Sequence, residues 1–275
     1  MMNKPRVSII GYGWLGEPLA SYLKEKGFPV KGSTTTSEKL NKLTDTGLET
    51  YLLKFSPHPI GRAFQNLFDT DILFINIPPA RRSQPDSFHP EQIKYIKAMA
   101  IQYRIPKIIY TSATSVYPDN NQRATEANTI NVYDNPALYN AEQILRKEKT
   151  YDLTVIRYGG LLGVDRIPGR YFSGKENVTG DTPVNYIHRD DAVALAAWII
   201  ENRLWNETFN GVAPLHPQRK DIYEKNAAEM GFSSPISYAK IGESKWKEVS
   251  SAKIIATGFK FKFPDPMDFG YTLSK

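Results

Sequence analysis

The segment Gly11-Tyr12-Gly13-Trp14-Leu15-Gly16 sets three glycines at GxGxxG spacing, between a short β-rich run and an amphipathic stretch. The chemistry such a loop supports is phosphate binding. The first glycine permits a tight turn, the second lets the backbone approach a pyrophosphate, and the third lets helix and strand pack closely. A helix that starts there offers N–H groups and a partial positive charge to phosphates. Gly11, Gly13, Trp14, Leu15 and Gly16 are therefore read as a dinucleotide-binding loop.

The choice between NAD and NADP falls after the second strand, where NAD binders usually carry Asp or Glu for the ribose 2′-hydroxyl. This chain has Lys31-Gly32-Ser33-Thr34-Thr35-Thr36 there, without a carboxylate. Ser33, Thr34 and Thr35, with Lys31 or Lys39, suit a 2′-phosphate, so NADP is preferred and NAD is the alternative. The same residue types also suit the cap of a helix starting near Glu38.

These residues need strands and helices to hold them. Arg6–Ile10 reads as a strand, Leu15–Lys26 as a helix, Pro29–Thr34 as a strand, Glu38–Thr46 as a helix and Glu49–Lys54 as a strand. Ile72–Ile77 is apolar apart from Asn76, as in a strand buried on both faces. Pro90–Arg104 (helix), Lys107–Thr111 (strand), Ala137–Lys149 (helix) and Leu153–Arg157 (strand) continue the alternation. The pattern predicts an α/β fold, a Rossmann doubly wound parallel sheet, followed by a small irregular C-terminal lobe. Residues 1–160 form the expected NAD(P)-binding domain and 161–275 a mixed substrate lobe, with 187–212 returning to the first domain. Pro118–Pro136 reads as a polar loop and Gly163–Asn185 as irregular; Arg189–Glu201, Arg219–Met230 and Ser250–Thr257 read as helices and Thr208–Asn210 as a strand.

Bulk properties narrow the field. The chain has 275 residues, 41% of them hydrophobic and 23% charged, and a net charge of +6 without a basic run. A nucleic-acid partner needs a clustered stripe and is not expected. The absence of cysteine excludes disulfides and thiolate chemistry. His58, His89, His188 and His216 form no metal-ligand spacing, so no metal is expected. The apolar stretch Ala192–Ile200 is too short to span a bilayer. A cytoplasmic protein without a membrane partner is expected, and a homodimer is left open.

In a doubly wound sheet the ligand lies beyond the carboxyl ends of the strands. Ile77 and Pro78 follow the fourth strand and are expected beside the cofactor. Arg81, Arg82 and Arg170 are candidates for an anionic group of the substrate.

The stretches GYGWLGEPLA, YTSATSVYP (110–118), IHRDDAVAL (187–195) and FNGVAP (209–214) resemble the extended short-chain dehydrogenase/reductases, also called NAD-dependent epimerase/dehydratases. GWLG, PPARRS (78–83) and RIPKIIYTS look like the YeeZ-like branch of that superfamily. The resemblance covers nearly the whole chain. It implies a nicotinamide cofactor, with Tyr158 after the sixth strand packed near the nicotinamide. It also implies a reaction centre of a Ser or Thr, a Tyr, and a Lys in a YxxxK helix, in which the tyrosine moves a proton as hydride moves.

Carried over, the match is incomplete. The hydroxyl position, three before Val116, is Ala113, flanked by Ser112 and Thr114, which on a strand point to the face opposite to that of Ala113. Tyr139 stands where a catalytic tyrosine belongs, but Gln143 occupies the lysine position. A glutamine carries no charge to make a phenol more acidic; Arg146, two turns along, is the nearest substitute. The catalytic candidates are Tyr139, Thr114 and Ser112. In IHRDDA the family precedent is structural, with the acid capping the next helix, so His188 is not read as catalytic.

Together these readings predict an oxidoreductase or epimerase acting on a small polar, anionic substrate. The alternative is a cofactor-binding sensor or interaction protein with weakened chemistry, which Ala113 and Gln143 favour.

Overall fold

The computed structural model describes residues 4–79 and 83–272. In chain order its elements are β1 (Val7–Ile10), α1 (Gly16–Glu25), β2 (Val30–Thr34), α2 (Ser37–Asp45), β3 (Glu49–Phe55), β4 (Pro59–Arg62), β5 (Ile72–Ile75), α3 (Phe88–Gln102), β6 (Lys107–Ala113), β7 (Gln122–Ala124), α4 (Pro136–Arg146), β8 (Asp152–Tyr158), β9 (Gly160–Leu162), α5 (Pro168–Phe172), β10 (Tyr186–His188), α6 (Arg189–Glu201), β11 (Thr208–Gly211), α7 (Arg219–Met230), β12 (Lys247–Val249) and α8 (Ala252–Ala256).

Eight strands form one sheet in the order β11-β8-β6-β5-β1-β2-β3-β4. From β3 through β2, β1 and β5 to β6 they run parallel. The chain winds outward through β2 and β3, then restarts on the other side of β1 with β5. That reversal makes the sheet doubly wound, and the crevice at the carboxyl ends of β1 and β5 is where such sheets take ligands. The central strands are uniformly buried, VSII in β1 and ILFI in β5, because helices cover both faces.

Several stretches depart from the sequence reading, among them the short parallel pair of β9 and β10. Beyond β3 the sheet gains an antiparallel edge: Ser56 N–H bonds His58 O and the chain turns back as β4. There Gly61 lies so close to β3 that a Cβ would sit 2.0 Å from Leu52 O. The polar loop before α4 contains β7, which pairs with β12. The irregular Gly163–Asn185 stretch contains α5.

The chain divides into two compact units. The first comprises residues up to Val116, Asn131–Arg157 and Val193–Thr208; the second comprises Tyr117–Ile130, Tyr158–Ala192 and everything from Phe209. The second unit has its own apolar centre of Val178, Val184, Ile222 and Tyr223, with Phe172, Tyr186, Tyr238 and Met267 packed on it. Among the described residues no helix is long and apolar enough to cross a membrane.

Candidate cofactor and active site

The glycine loop joins β1 to α1 in the first unit. Gly11 has φ +106°, a conformation open to glycine, and a Cβ there would lie 2.5 Å from Asn76 O. Gly16 meets the loop from the other side, where a Cβ would sit 2.2 Å from Gly11 O. Both glycines are thus required by the protein itself. Gly13 is different: it is exposed, and a Cβ there would meet no atom within 4 Å. Nothing in the fold asks for glycine at that position, whereas a ligand seated on the loop backbone does. Helix α1 begins at this point without a side-chain cap, unlike α2 and α4, which Thr36 and Asn135 cap. The loop therefore fits a pyrophosphate.

Residues beneath the loop fix its shape. Ser33 Oγ accepts from Gly11 N–H at 3.0 Å and Ser33 O accepts from Tyr12 N–H at 2.6 Å. Asn76 Nδ2 donates to Gly11 O at 3.1 Å, while Thr111 Oγ1 lies 3.1 Å from Ile75 O and 3.4 Å from Asn76 Oδ1. Asn76, the one polar residue in the expected Ile72–Ile77 strand, thus ends β5 by turning its amide to the loop.

The residues after β2 separate into two groups. Ser33 and Thr34 are buried, Ser33 under the loop, while Thr35 is exposed. Thr36 caps α2 by accepting from Lys39 N–H. Lys31 Nζ donates to Asp69 O at 2.9 Å and Lys39 pairs with Glu17 at 3.0 Å. No carboxylate stands between Ser33 and Ser37.

At the end of β6 the three candidate catalytic hydroxyls part company. Ser112 Oγ donates to Glu142 Oε1 at 2.7 Å inside a buried cluster. Arg157 Nε and Nη2 grip the same carboxylate at 3.0 and 2.8 Å, and Arg146 stands 3.4 Å from it. Burial pushes the Glu142 carboxyl up, but the Arg157 hydrogen bonds and charge, the Ser112 hydroxyl and the Arg146 charge outweigh it and hold the group below its ordinary range. Thr114 and Tyr139 make no side-chain hydrogen bond among the described residues. Asn135 brings their segments together: it caps α4 at Leu138 N–H and donates to Ser115 Oγ at 2.8 Å. Tyr139, in the first turn of α4, is half-buried; Gln143 is exposed. Arg146 is turned to Glu142 and to Thr208, 2.9 Å away.

Ile77 is half-buried and Pro78 exposed, following β5. In the second unit Tyr158 is buried, its hydroxyl donating to Ala192 O at 2.7 Å, and Arg170 is exposed on α5. Asp191 accepts from Lys262 and Phe263 N–H, a tie within the second unit. Arg81 and Arg82 lie outside the described residues. The sequence reading missed the roles of Glu142 and Arg157. A signal existed: Glu142 falls on the apolar stripe of α4 beside Leu138, Ala141 and Leu145, and Arg157 closes an apolar strand. A groove of about 1020 Å³, lined by Arg6, Pro29, Asp71, Lys107 and Trp205 among others, opens at the amino ends of the strands, away from this site. Among the described residues no cluster of three metal-ligating side chains occurs.

No family model matches the chain. Protein YeeZ of Escherichia coli K12 is 33% identical over 268 residues, covering 95% of this chain and 97% of YeeZ. A short-chain dehydrogenase/reductase superfamily protein of Agrobacterium tumefaciens, solved with bound NAD, superposes with a TM-score of 0.73 at 14% identity, covering 96% of this chain and 94% of that one. A human epimerase family protein solved with NADPH gives 0.66 at 16% identity, covering 94% and 96%. Strand order and these superpositions show that the chain shares its Rossmann-type fold with those structures. The chain belongs to the YeeZ family.

Proposed function

We propose that the first unit binds a nicotinamide dinucleotide on the Gly11–Gly16 loop, NADP in preference to NAD. The protein is then an oxidoreductase or epimerase acting on a small polar, anionic substrate. The observation that carries this reading is Gly13, a glycine with open space where its side chain would be. The bound NAD and NADPH of the two structural relatives support it. Thr35, exposed where β2 ends, and the lack of a carboxylate from Ser33 to Ser37 favour the 2′-phosphate.

A nicotinamide supplies a ring carbon that accepts or gives hydride. The chain's part is to bind, orient and move a proton. Asn76 and Ser33 hold the loop in shape, and Ile77 and Pro78 border the cofactor. Tyr139 Oη gives or takes the proton, and Thr114 Oγ1 orients the reacting oxygen. Ser112 serves through Glu142, anchoring the end of β6 to α4. A second reading, a cofactor-bound sensor with little turnover, is favoured by one arrangement. Gln143 is exposed, and Arg146 is drawn to Glu142 and Thr208, so neither of these two α4 positions commits a cation to Tyr139.

Fluorescence titration of the purified protein with NADPH and NADH tests both readings. Binding of NADPH at least tenfold tighter than NADH is expected. Affinity for neither overturns the proposal. Tight NADPH with no turnover across aldehydes, ketones and sugar nucleotides selects the sensor.

A further inference from the structure

Arg219 opens α7 in the second unit and is only partly exposed. Its Nε donates to Thr182 Oγ1 at 2.8 Å and its backbone N–H to Thr182 O at 3.1 Å, so the guanidinium is locked in place. No carboxylate lies within 4.0 Å of it among the described residues. Asp119, the acidic group whose charge it feels, is 3.0 Å from Lys247 Nζ, and that ammonium also donates to Tyr117 O at 2.8 Å. Two cations thus share one carboxylate.

The other groups facing Arg219 are phenols. Tyr223 lies within reach of it, Tyr186 packs on the apolar cluster that contains Tyr223, and Tyr186 and Tyr271 border a second cluster together. The hydroxyl of Tyr223, a fully buried residue, sits near Arg219 and Tyr186 but is aligned as a hydrogen-bond partner of neither. The buried Tyr271 hydroxyl likewise has no partner among the described residues. Such orphaned groups are rare because each has given up water for nothing. Burial keeps the Tyr186 phenol protonated, so it supplies no negative charge and retains an O–H that can donate.

The room for these rings is built into the chain. A Cβ on Gly160 would lie 2.8 Å from the Tyr186 ring, and one on Gly169 would lie 3.0 Å from Tyr223 O. Tyr223 is further fixed by stacking on Phe172, with ring centroids 4.7 Å apart.

We propose that Arg219, Tyr186 and Tyr223 form a site in the second unit for the oxyanion of a small molecule, a carboxylate or a phosphoryl group. A fixed guanidinium without a carboxylate partner, surrounded by phenolic donors, has the chemistry that recognises such groups. That the bound molecule is the substrate rests on the proposed function; that the site takes an oxyanion does not.

NMR of the arginine Nε–H signals of the full chain tests it, with inorganic phosphate and succinate titrated in separate arms at constant ionic strength. A saturable shift of the Arg219 signal is expected in at least one arm, and the stronger arm identifies phosphoryl or carboxylate. Arg219→Gln is expected to weaken the anion at least tenfold. Tyr186→Phe, which keeps the ring and so the packing, is expected to weaken it at least threefold. The site is rejected if the Arg219 signal moves without saturation in both arms, as exposed Arg170 would. It is also rejected if affinity survives Tyr186→Phe and Arg219→Gln unchanged, and the wild-type titration alone decides should Arg219→Gln not fold. A parallel NADPH titration read on the Gly11–Gly16 amides reports on the proposed function separately, so either can fail without the other.

Discussion

Arg157 Nη2 lies 2.8 Å from Glu142 Oε2, with Glu142 sealed from water and Arg157 nearly so. The pair ties the helix that carries Tyr139 to the sheet, and Ser112 at the end of β6 closes the cluster. Removing one member strands the other as a buried charge, which costs about 3–5 kcal/mol. Arg157→Met and Glu142→Leu are each expected to lose that much in urea denaturation. The double variant is expected to lose less than the two singles added together. Additive losses would mean the two residues are not energetically coupled.

The loop glycines separate fold from ligand. Gly16→Ala forces a Cβ to within 2.2 Å of Gly11 O and is expected to destabilise the protein by about 2 kcal/mol or more, as overpacking does. Gly13→Val places its side chain in open space, so thermal stability is expected to hold while NADPH affinity falls at least tenfold. A variant that keeps wild-type NADPH affinity would remove Gly13 as the contact point.

How much of this was readable from the chain depends on distance along it. The β1–loop–α1 unit is local, and its glycine spacing declares it. Asn76 also showed itself, as a polar break in an apolar strand, although its bond to Gly11 O crosses 65 residues. Ser33 illustrates the limit. The residue type suggests a ribose contact, but the strand register turns its hydroxyl under the loop to Gly11 N–H. The β7–β12 pair joins residues more than a hundred positions apart and leaves no periodic trace in three-residue strands. Glu142 reads as a charge on an apolar stripe, but its meaning appears only once Arg157 arrives from a different strand.

Tyr139 and Ser112 separate proton transfer from support. Tyr139→Phe is expected to leave NADPH affinity unchanged and to lower kcat about 100-fold or more on any substrate that the wild type turns over, the scale of a lost general acid–base. Ser112→Ala removes a hydrogen bond to a charged group and is expected to cost about 1.5–3 kcal/mol of stability. Its fall in kcat is expected to be smaller than that of Tyr139→Phe. Turnover that survives Tyr139→Phe would reassign the proton donor.

His89 gives the fold an acid-side weakness. It is buried in the first turn of α3, with Nδ1 3.2 Å from Gln92 Oε1 and Nε2 2.8 Å from Tyr110 Oη. Gln92 Nε2 donates to Phe55 O, so its Oε1 is left as an acceptor and Nδ1 carries the proton; Nε2 then accepts from Tyr110. Burial drives the imidazole down from 6.5 to about 4. Because the folded value lies below the unfolded one, the unfolded chain binds the proton first. Stability is therefore untouched above about pH 6.5, falls as pH drops from there, and levels off below about 4, for a total loss of about 3 kcal/mol. Urea denaturation of the wild type and of His89→Gln at pH 8, 6 and 4.5 reads this directly. The variant is expected to be less stable at pH 8, having lost the Tyr110 contact, but to show a distinctly shallower decline toward pH 4.5. Parallel declines in the two proteins would show that other groups set the acid sensitivity.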